Sequence, residues 1–533
     1  MSAAFAALVV ATLAQPYFAP GAPEGAPILV PNVNFVPPEG CITEAERAAV
    51  RSAITRYTTQ NTTASAMPDF LPARPFGVFP IGGRQDVDLI ITHLVDLNPA
   101  PLIWHDASCD GHTYDGHTGM DIHVRGFDRQ GAPGSGEGTP VFGVLDGVVI
   151  YASDGHPDRN DNAHGHANAV VLDHGNGQRT FYWHMKRGSL THREGDIVRA
   201  GEQLGLVGSS GQSSWPHLHF EAQQNGVIVE TTSGACVSGS GLWPTPPVVV
   251  SVPRVLEAGV SAESLLGVRP PWSLPRASHI ALTDARVSMW MLVQNLAQQS
   301  VGRTRLVDPS GALVAESPTV PLAGDAAALS TVHAQWPIGA LGGRTGEWRM
   351  QWFLNGNLSA DIPFTVLAAP SPGFNRPPDG LIVSLEPTPL LESEPVRCVV
   401  RSESTFGDPD LDVVRYEYVW TVNDDEIRRV TSFAMSDVLP ASSAGALQRV
   451  VCTVRALDGT LASPPARAEA IVGEPCASPL AQALHQQGSP LGHLLSGLGE
   501  STGATIPDFD HDGFVTMADL SLLLSWLGAN CPD

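Results

Sequence analysis

The stretch WPHLHFEAQ, residues 215–223, sets two histidines two positions apart in a short apolar run. In an extended chain residues i and i+2 project from the same face, so His217 and His219 point together while Leu218 and Phe220 face a core. Two imidazoles on one face are either a pair of partly buried core histidines or one wall of a metal site. The rest of the chain has to decide between them.

At 533 residues the chain exceeds what one core can organise, so several domains of roughly 100–200 residues are expected. A hydrophobic content of 43% with 16% charged residues is that of a globular protein. Thirty Lys and Arg against 54 Asp and Glu give a net charge of −24, and no basic run appears. Nucleic acid is excluded as a natural partner on that balance. No apolar stretch reaches the ~18–20 residues of a membrane span.

MSAAFAALVVATLAQP opens with small apolar residues and a small-residue site near Ala14, which reads as a signal peptide over residues 1–15 without its positive leader. A buried N-terminal strand is the alternative. Secretion to the periplasm or cell surface is the expected destination. Seven cysteines agree with export. Cys398 and Cys452 flank Trp420 in the order seen in immunoglobulin-like sandwiches, Cys476 and Cys531 bracket the C-terminal segment, and one of Cys41, Cys109 and Cys236 stays unpaired.

The coarse organisation is mainly β and multidomain. Residues 16–40 are Pro- and Gly-rich and read as linker. TEAERAAVRSAITRYTTQ carries Thr43 as N-cap and Glu46 three residues on, a capping box opening a helix. From Gly111 onward, short β-branched runs alternate with Gly and Asp turns, predicting an antiparallel β-rich domain within 41–248, its core at 111–225. Residues 250–368 and 380–473 each alternate apolar and polar and predict two β-sandwiches, the second immunoglobulin-like. Residues 476–533 predict a small helical module.

Histidine placement separates the two readings of the opening stretch. Twelve of 18 histidines lie between His105 and His219. Packing gives a β-rich core no reason to collect imidazoles, whereas metal binding and proton transfer do. DGHTGMDIHV supplies His117 and Asp121, the latter opening an apolar strand where a lone carboxylate is costly without a cation or a dedicated hydrogen bond. TFYWHMK places His184 in an aromatic strand. A catalytic zinc site takes three protein ligands and keeps a fourth position for water.

These segments, GHTGMDI, GTPVFGVLDGVVIYA, NAVVLDHGNG, FYWHM and GDIVRAGEQLGLVGSSGQSSWPHLHFEA, resemble the lysostaphin-like (LytM-type) zinc metallopeptidases from about Gly116 to Ala222. The resemblance implies one catalytic Zn²⁺ held by His117, Asp121 and His219, with His184 and His217 as catalytic histidines. It implies an endopeptidase hydrolysing cell-wall peptides, in peptidoglycan cross-links or stem peptides. The alternative is a wall-binding or regulatory protein that keeps the fold without turnover.

Two loops exceed the family pattern. Residues 124–138 are longer than the usual turn. Residues 153–168 hold His156, His164 and His166, as a solvated loop, a substrate-selecting wall or a second metal site. His123 shares the face of Asp121 and is expected beside the ligands. His174 is a hairpin residue near the cleft.

The last segment carries a separate signal. In PDFDHDGFVTMADLSLLL, Asp508, Asp510, Asp512, Thr516 and Asp519 stand at positions 1, 3, 5, 9 and 12 of an EF-hand-like loop, with Gly513 at 6. One structural Ca²⁺ is expected. The loop with its following helix resembles the dockerin type, and a cohesin-like or surface partner is what that resemblance implies.

Overall fold

The computed structural model describes residues 24–30, 40–60, 73–101, 103–109, 111–161, 165–237, 239, 241–265, 271–297, 299–322, 327–402 and 407–473. The signal-peptide reading and the calcium ligands Asp508, Asp510, Asp512, Thr516 and Asp519 lie outside the described residues, as do Cys476 and Cys531. The described chain is mainly β, with one α-helix, α1, at Glu44–Gln60. It divides into two compact units, one built on residues 252–270 and 274–372 with the strand at 28–30, the other on residues 33–251, 271–273 and 373–473.

In the first unit, one sheet orders the strands Ile28–Val30, Ala327–Pro337, Arg286–Leu296 and Arg254–Ser261. A second sheet runs Ile280–Ala281, Asn357–Leu367, Gly346–Leu354, Val301–Val307 and Leu313–Glu316. Alternation places Trp348, Met350 and Trp352 in the core of this unit. Residues 28–30, expected as linker, instead pair antiparallel with residues 331–333. Ile28 and Val30 are β-branched and favour the extended chain of this short edge strand.

In the second unit, residues 381–473 form two sheets around buried Tyr418, Trp420, Cys398 and Cys452. Trp420 and Cys452 are register partners on adjacent strands, and both cysteines are free thiols. The immunoglobulin-like order of Cys, Trp and Cys is therefore present without the bridge. The disulfide joins Cys109 to Cys236, which leaves Cys41 as the unpaired and buried member of its trio.

The sheet that positions the site is antiparallel, in the order Ile90–His93, Met120–His123, His217–Gln224, Gln178–Trp183, Ala169–Asp173, Gly147–Ser153, Ile197–Val198. Its two faces bury different sets, as the period of 2 requires. Met120, Ile122, Leu218, Phe220, Tyr182, Val170 and Leu172 share one core with Phe76 and Trp243. The opposite face packs Phe181, Trp183, Ala169 and Val171 against Cys41, Ile42 and Val50, so α1 and the residues before it cover part of that face. Thr43 and Glu46 form the capping box that starts α1, with Thr43 Nα donating to Glu46 Oε2 at 2.8 Å.

Candidate metal centre

Strand register assembles the site. His219 lies opposite Asp121 on one neighbouring strand and opposite Trp183 on the other, and His217 lies opposite His123. A bulge between Ile91 and His93 brings His93 opposite Asp121 from the edge strand. His117 enters from the turn just before the Met120–His123 strand, its backbone N–H held by Tyr114 O at 3.0 Å. All five histidines and carboxylates drawn from the sequence therefore meet: His117, Asp121, His184, His217 and His219 are all buried.

The donor atoms converge. Asp121 Oδ1 lies 2.8 Å from His219 Nδ1 and 3.2 Å from His117 Nε2, and these two nitrogens are 3.2 Å apart. Ligands about 2.0–2.1 Å from a tetrahedral zinc ion stand about 3.3 Å from one another, so the triangle has the size of one face of such a site. The ring tautomers agree. His117 Nδ1 donates to Leu94 O at 2.7 Å, and His219 Nε2 donates to Glu221 Oε1 at 3.2 Å, which frees His117 Nε2 and His219 Nδ1 as lone-pair donors. His93 Nδ1 lies 3.1 Å from Asp121 Oδ2 and so turns Oδ1 inward. The residues fit a divalent cation with nitrogen and oxygen ligands.

Electrostatics of the protein alone show how tightly this cluster is coupled. Burial works against charge on both partners, yet Asp121 is held well below the usual carboxylate range by His117 and the hydrogen bonds from His117, His219 and His93. His117 is correspondingly pushed up to about 9, since burial is outweighed by the Asp121 charge. A cation held by the three groups would take over the role of those protons.

His184 and His217 flank the triangle. Their ring centroids are 4.5 Å apart, and that of His184 is 6.1 Å from His219. His184 Nδ1 donates to Ser210 O at 2.7 Å, and His217 Nδ1 donates to Trp215 O at 2.7 Å. Each therefore keeps its lone pair on Nε2. His184 Nε2 is buried without a hydrogen-bond partner, and His217 Nε2 stands 3.7 Å from Asp121 Oδ1. Burial, then the neighbouring His184, lowers His217 to about 4, so it is neutral at pH 7. His184 has φ 64°, a left-handed backbone that ends its strand and redirects its ring.

Glycine explains how the two rings are held. Gly208 N donates to His184 O at 3.1 Å, and His217 N donates to Gly208 O at 3.0 Å. A Cβ on Gly208 would meet Met185 O at 2.6 Å and Lys186 N at 2.7 Å, so only glycine allows this backbone between the histidines.

Other expectations resolve. His123 stacks on His217 with ring centroids 4.6 Å apart and an interplanar angle of 12°. His174 does not reach the site: it is buried in its hairpin, Nδ1 donating to Asp146 O at 2.9 Å and Nε2 lying 2.7 Å from Thr180 Oγ1. The long loop at 124–138 is tied down by buried Lys186, whose Nζ donates to Gln130 O, Ser135 O and Glu137 O at 2.9, 2.9 and 2.7 Å. In the second loop, His156 and His166 have ring centroids 5.4 Å apart, and His164 is outside the described residues. Sequence reasoning missed His93, Glu221, Arg47 and Cys41. Glu221 was legible in principle, two residues beyond His219 on the same strand face, whereas nothing local marked the other three.

The segment that holds this site is also where the chain matches a known family. Residues 116–231 match the model of Peptidase family M23. The DD-carboxypeptidase/endopeptidase Mpg of Neisseria meningitidis serogroup B is 39% identical over 124 residues, 23% of this chain and 24% of that protein. The murein hydrolase activator EnvC of Escherichia coli is 36% identical over 118 residues, 21% of this chain and 26% of that protein. The catalytic domain of lysostaphin from Staphylococcus simulans is 25% identical, over 22% of this chain and 75% of that one, with a TM-score of 0.16. The chain spans about a quarter of the length of the two curated relatives. It carries, at residues 116–231, a domain of peptidase family M23, the lysostaphin-like zinc metallopeptidases.

Proposed function

We propose that the chain is a zinc metalloendopeptidase that hydrolyses peptide bonds in peptidoglycan, in cross-links or stem peptides, outside the cytoplasm. The observation that carries this reading is the convergence of His117 Nε2, Asp121 Oδ1 and His219 Nδ1 beside His217 and His184, whose Nδ1 atoms are held by backbone carbonyls. A zinc ion held by the three ligands supplies Lewis acidity, lowering the pKa of water and polarising a carbonyl. His217, neutral and fixed by Trp215 O, accepts a proton from the attacking water at Nε2. The proton taken up at His217 Nε2 is returned to the departing amine, and His184, when protonated at Nε2, holds charge that develops on the carbonyl oxygen. His93 and Glu221 keep the ligands in their tautomers and orientations throughout.

A second reading has a specific observation behind it. One relative, 36% identical over 118 residues, is a murein hydrolase activator, so a regulator that binds the cell wall and retains the fold is the alternative. Mass spectrometry of muropeptides after incubation of purified peptidoglycan with the zinc-loaded chain separates the two. New stem-peptide or cross-link fragments, absent with His184→Ala, support the hydrolase; an unchanged muropeptide profile with zinc bound supports the regulator.

A further inference from the structure

Cys41 stands beside the metal triangle. Its Sγ lies 3.4 Å from His219 Nδ1, across 178 residues of sequence, and it shares one ligand-sized cluster with His117, Asp121 and His219, their donor atoms all within 4.8 Å of one another. A sulfur about 2.3 Å from a zinc ion and a nitrogen about 2.05 Å from it stand about 3.6 Å apart in a tetrahedron, close to what is found. Buried cysteines are mostly inert small hydrophobes. This one faces the His219 imidazole and is buried with the cluster.

The segment bearing Cys41 is built into the domain. Ile42 and Val50 enter the same core as Phe181 and Trp183. Glu46 Oε1 accepts from Ala167 N at 2.6 Å. Arg47 Nη2 donates to Glu221 Oε1 and to Thr118 Oγ1, both at 2.9 Å. Core packing, the Glu46 cap and the Arg47 pair thus fix the residues just after Cys41 and bring its thiol to the cluster.

We infer that Cys41 is the fourth ligand of the metal centre, closing the position that hydrolysis needs for water, so that the chain is latent while its thiolate is bound. This rests on the zinc-hydrolase reading above. A site with four protein ligands has the closed character of structural zinc, and a site with three is catalytic. Withdrawal of Cys41 converts the first into the second: the sulfur–metal bond breaks, the thiolate takes up a proton from solvent, and water enters the vacated position.

Two measurements on the full chain test this. X-ray absorption of the zinc-loaded protein is expected to show one sulfur in the first shell, and the cobalt-substituted protein a thiolate-to-metal charge-transfer band; Cys41→Ala loses both while binding one equivalent of metal. Peptidoglycan hydrolysis by Cys41→Ala is expected to exceed that of the unmodified chain at least tenfold. Stoichiometric metal without sulfur in the unmodified chain overturns the inference, and that measurement does not depend on any variant folding. Sulfur ligation with equal hydrolysis by both forms retains the ligand and overturns latency. Sulfur ligation with no hydrolysis by either form leaves Cys41 a ligand and removes the hydrolase reading instead.

Discussion

Arg47 Nη2 lies 2.9 Å from Glu221 Oε1, the same oxygen that His219 Nε2 approaches to 3.2 Å. One carboxylate thus links the helix Glu44–Gln60 to the back of the His219 ring. Glu221 is wholly buried, which would raise its pKa, yet the His219 hydrogen bond and the Arg47 charge bring it down to about 2. A buried carboxylate in this position fixes the ligand tautomer and raises the basicity of the ring. Glu221→Gln is therefore expected to weaken zinc retention about 10–100-fold in chelator competition. Arg47→Met leaves the buried carboxylate without its guanidinium partner and should destabilise the domain by roughly 3 kcal/mol. Unchanged zinc retention in Glu221→Gln would remove Glu221 from the site.

The ligands and the flanking histidines should separate cleanly by metal content. His219→Ala and His117→Ala are expected to lose bound zinc to a competing chelator, since each removes an imidazole from the proposed donor set. His184→Ala and His217→Ala are expected to retain one equivalent and to lower hydrolysis about 10²–10⁴-fold, the usual contribution of a positioned acid or base. Metal analysis beside a turnover assay on the same preparations reads both. Full hydrolysis by His184→Ala would exclude its role.

The strand character of residues 217–224 and the shared face of His217 and His219 were legible because both follow from a period of 2 in a short apolar run. The helix at Glu44–Gln60 was legible from Thr43 and Glu46, whose capping is a local interaction. Cys41, Arg47 and His93 were not, because each reaches the site through contacts with no local pattern. Arg47 meets Glu221 across 174 residues, and His93 faces Asp121 only because a bulge shifts the edge strand. The Cys109–Cys236 pairing likewise closes 127 residues and leaves no trace in spacing. For residues 28–30, proline- and glycine-rich surroundings concealed a three-residue edge strand.

Gly119 offers a test of positioning without touching a ligand. A Cβ there would stand 2.4 Å from Phe220 O and 2.9 Å from His219 Nε2. The first contact is with backbone and cannot be relieved by a rotamer. Gly119→Ala must push the Met120–His123 and His217–Gln224 strands apart or displace the His219 ring. Zinc affinity is expected to fall at least tenfold in the same competition assay. An alanine variant with unchanged affinity and hydrolysis would show that the strand pair accommodates the methyl group and that His219 is less tightly held than these distances indicate.

His174 gives the domain a pH dependence remote from the metal. Burial, reinforced by the charge of Arg74, lowers it to about 4, although its hydrogen bond to Asp146 O acts in the other direction. An unfolded histidine titrates near 6.5. Below that value the unfolded state takes up a proton that the folded state refuses, so the stability is complete above about pH 6.5 and is lost as the pH falls toward about 4. The full loss amounts to about 3 kcal/mol across that window. Amide-exchange protection factors for the hairpin of Ala169–Asp173 and Gln178–Trp183 should therefore drop between pH 7.5 and pH 5 in the unmodified chain. In His174→Asn the same hairpin starts less protected at pH 7.5, having lost the contact to Asp146 O or Thr180 Oγ1, and changes far less over that interval. Equal pH dependence in both forms would assign the effect to another group.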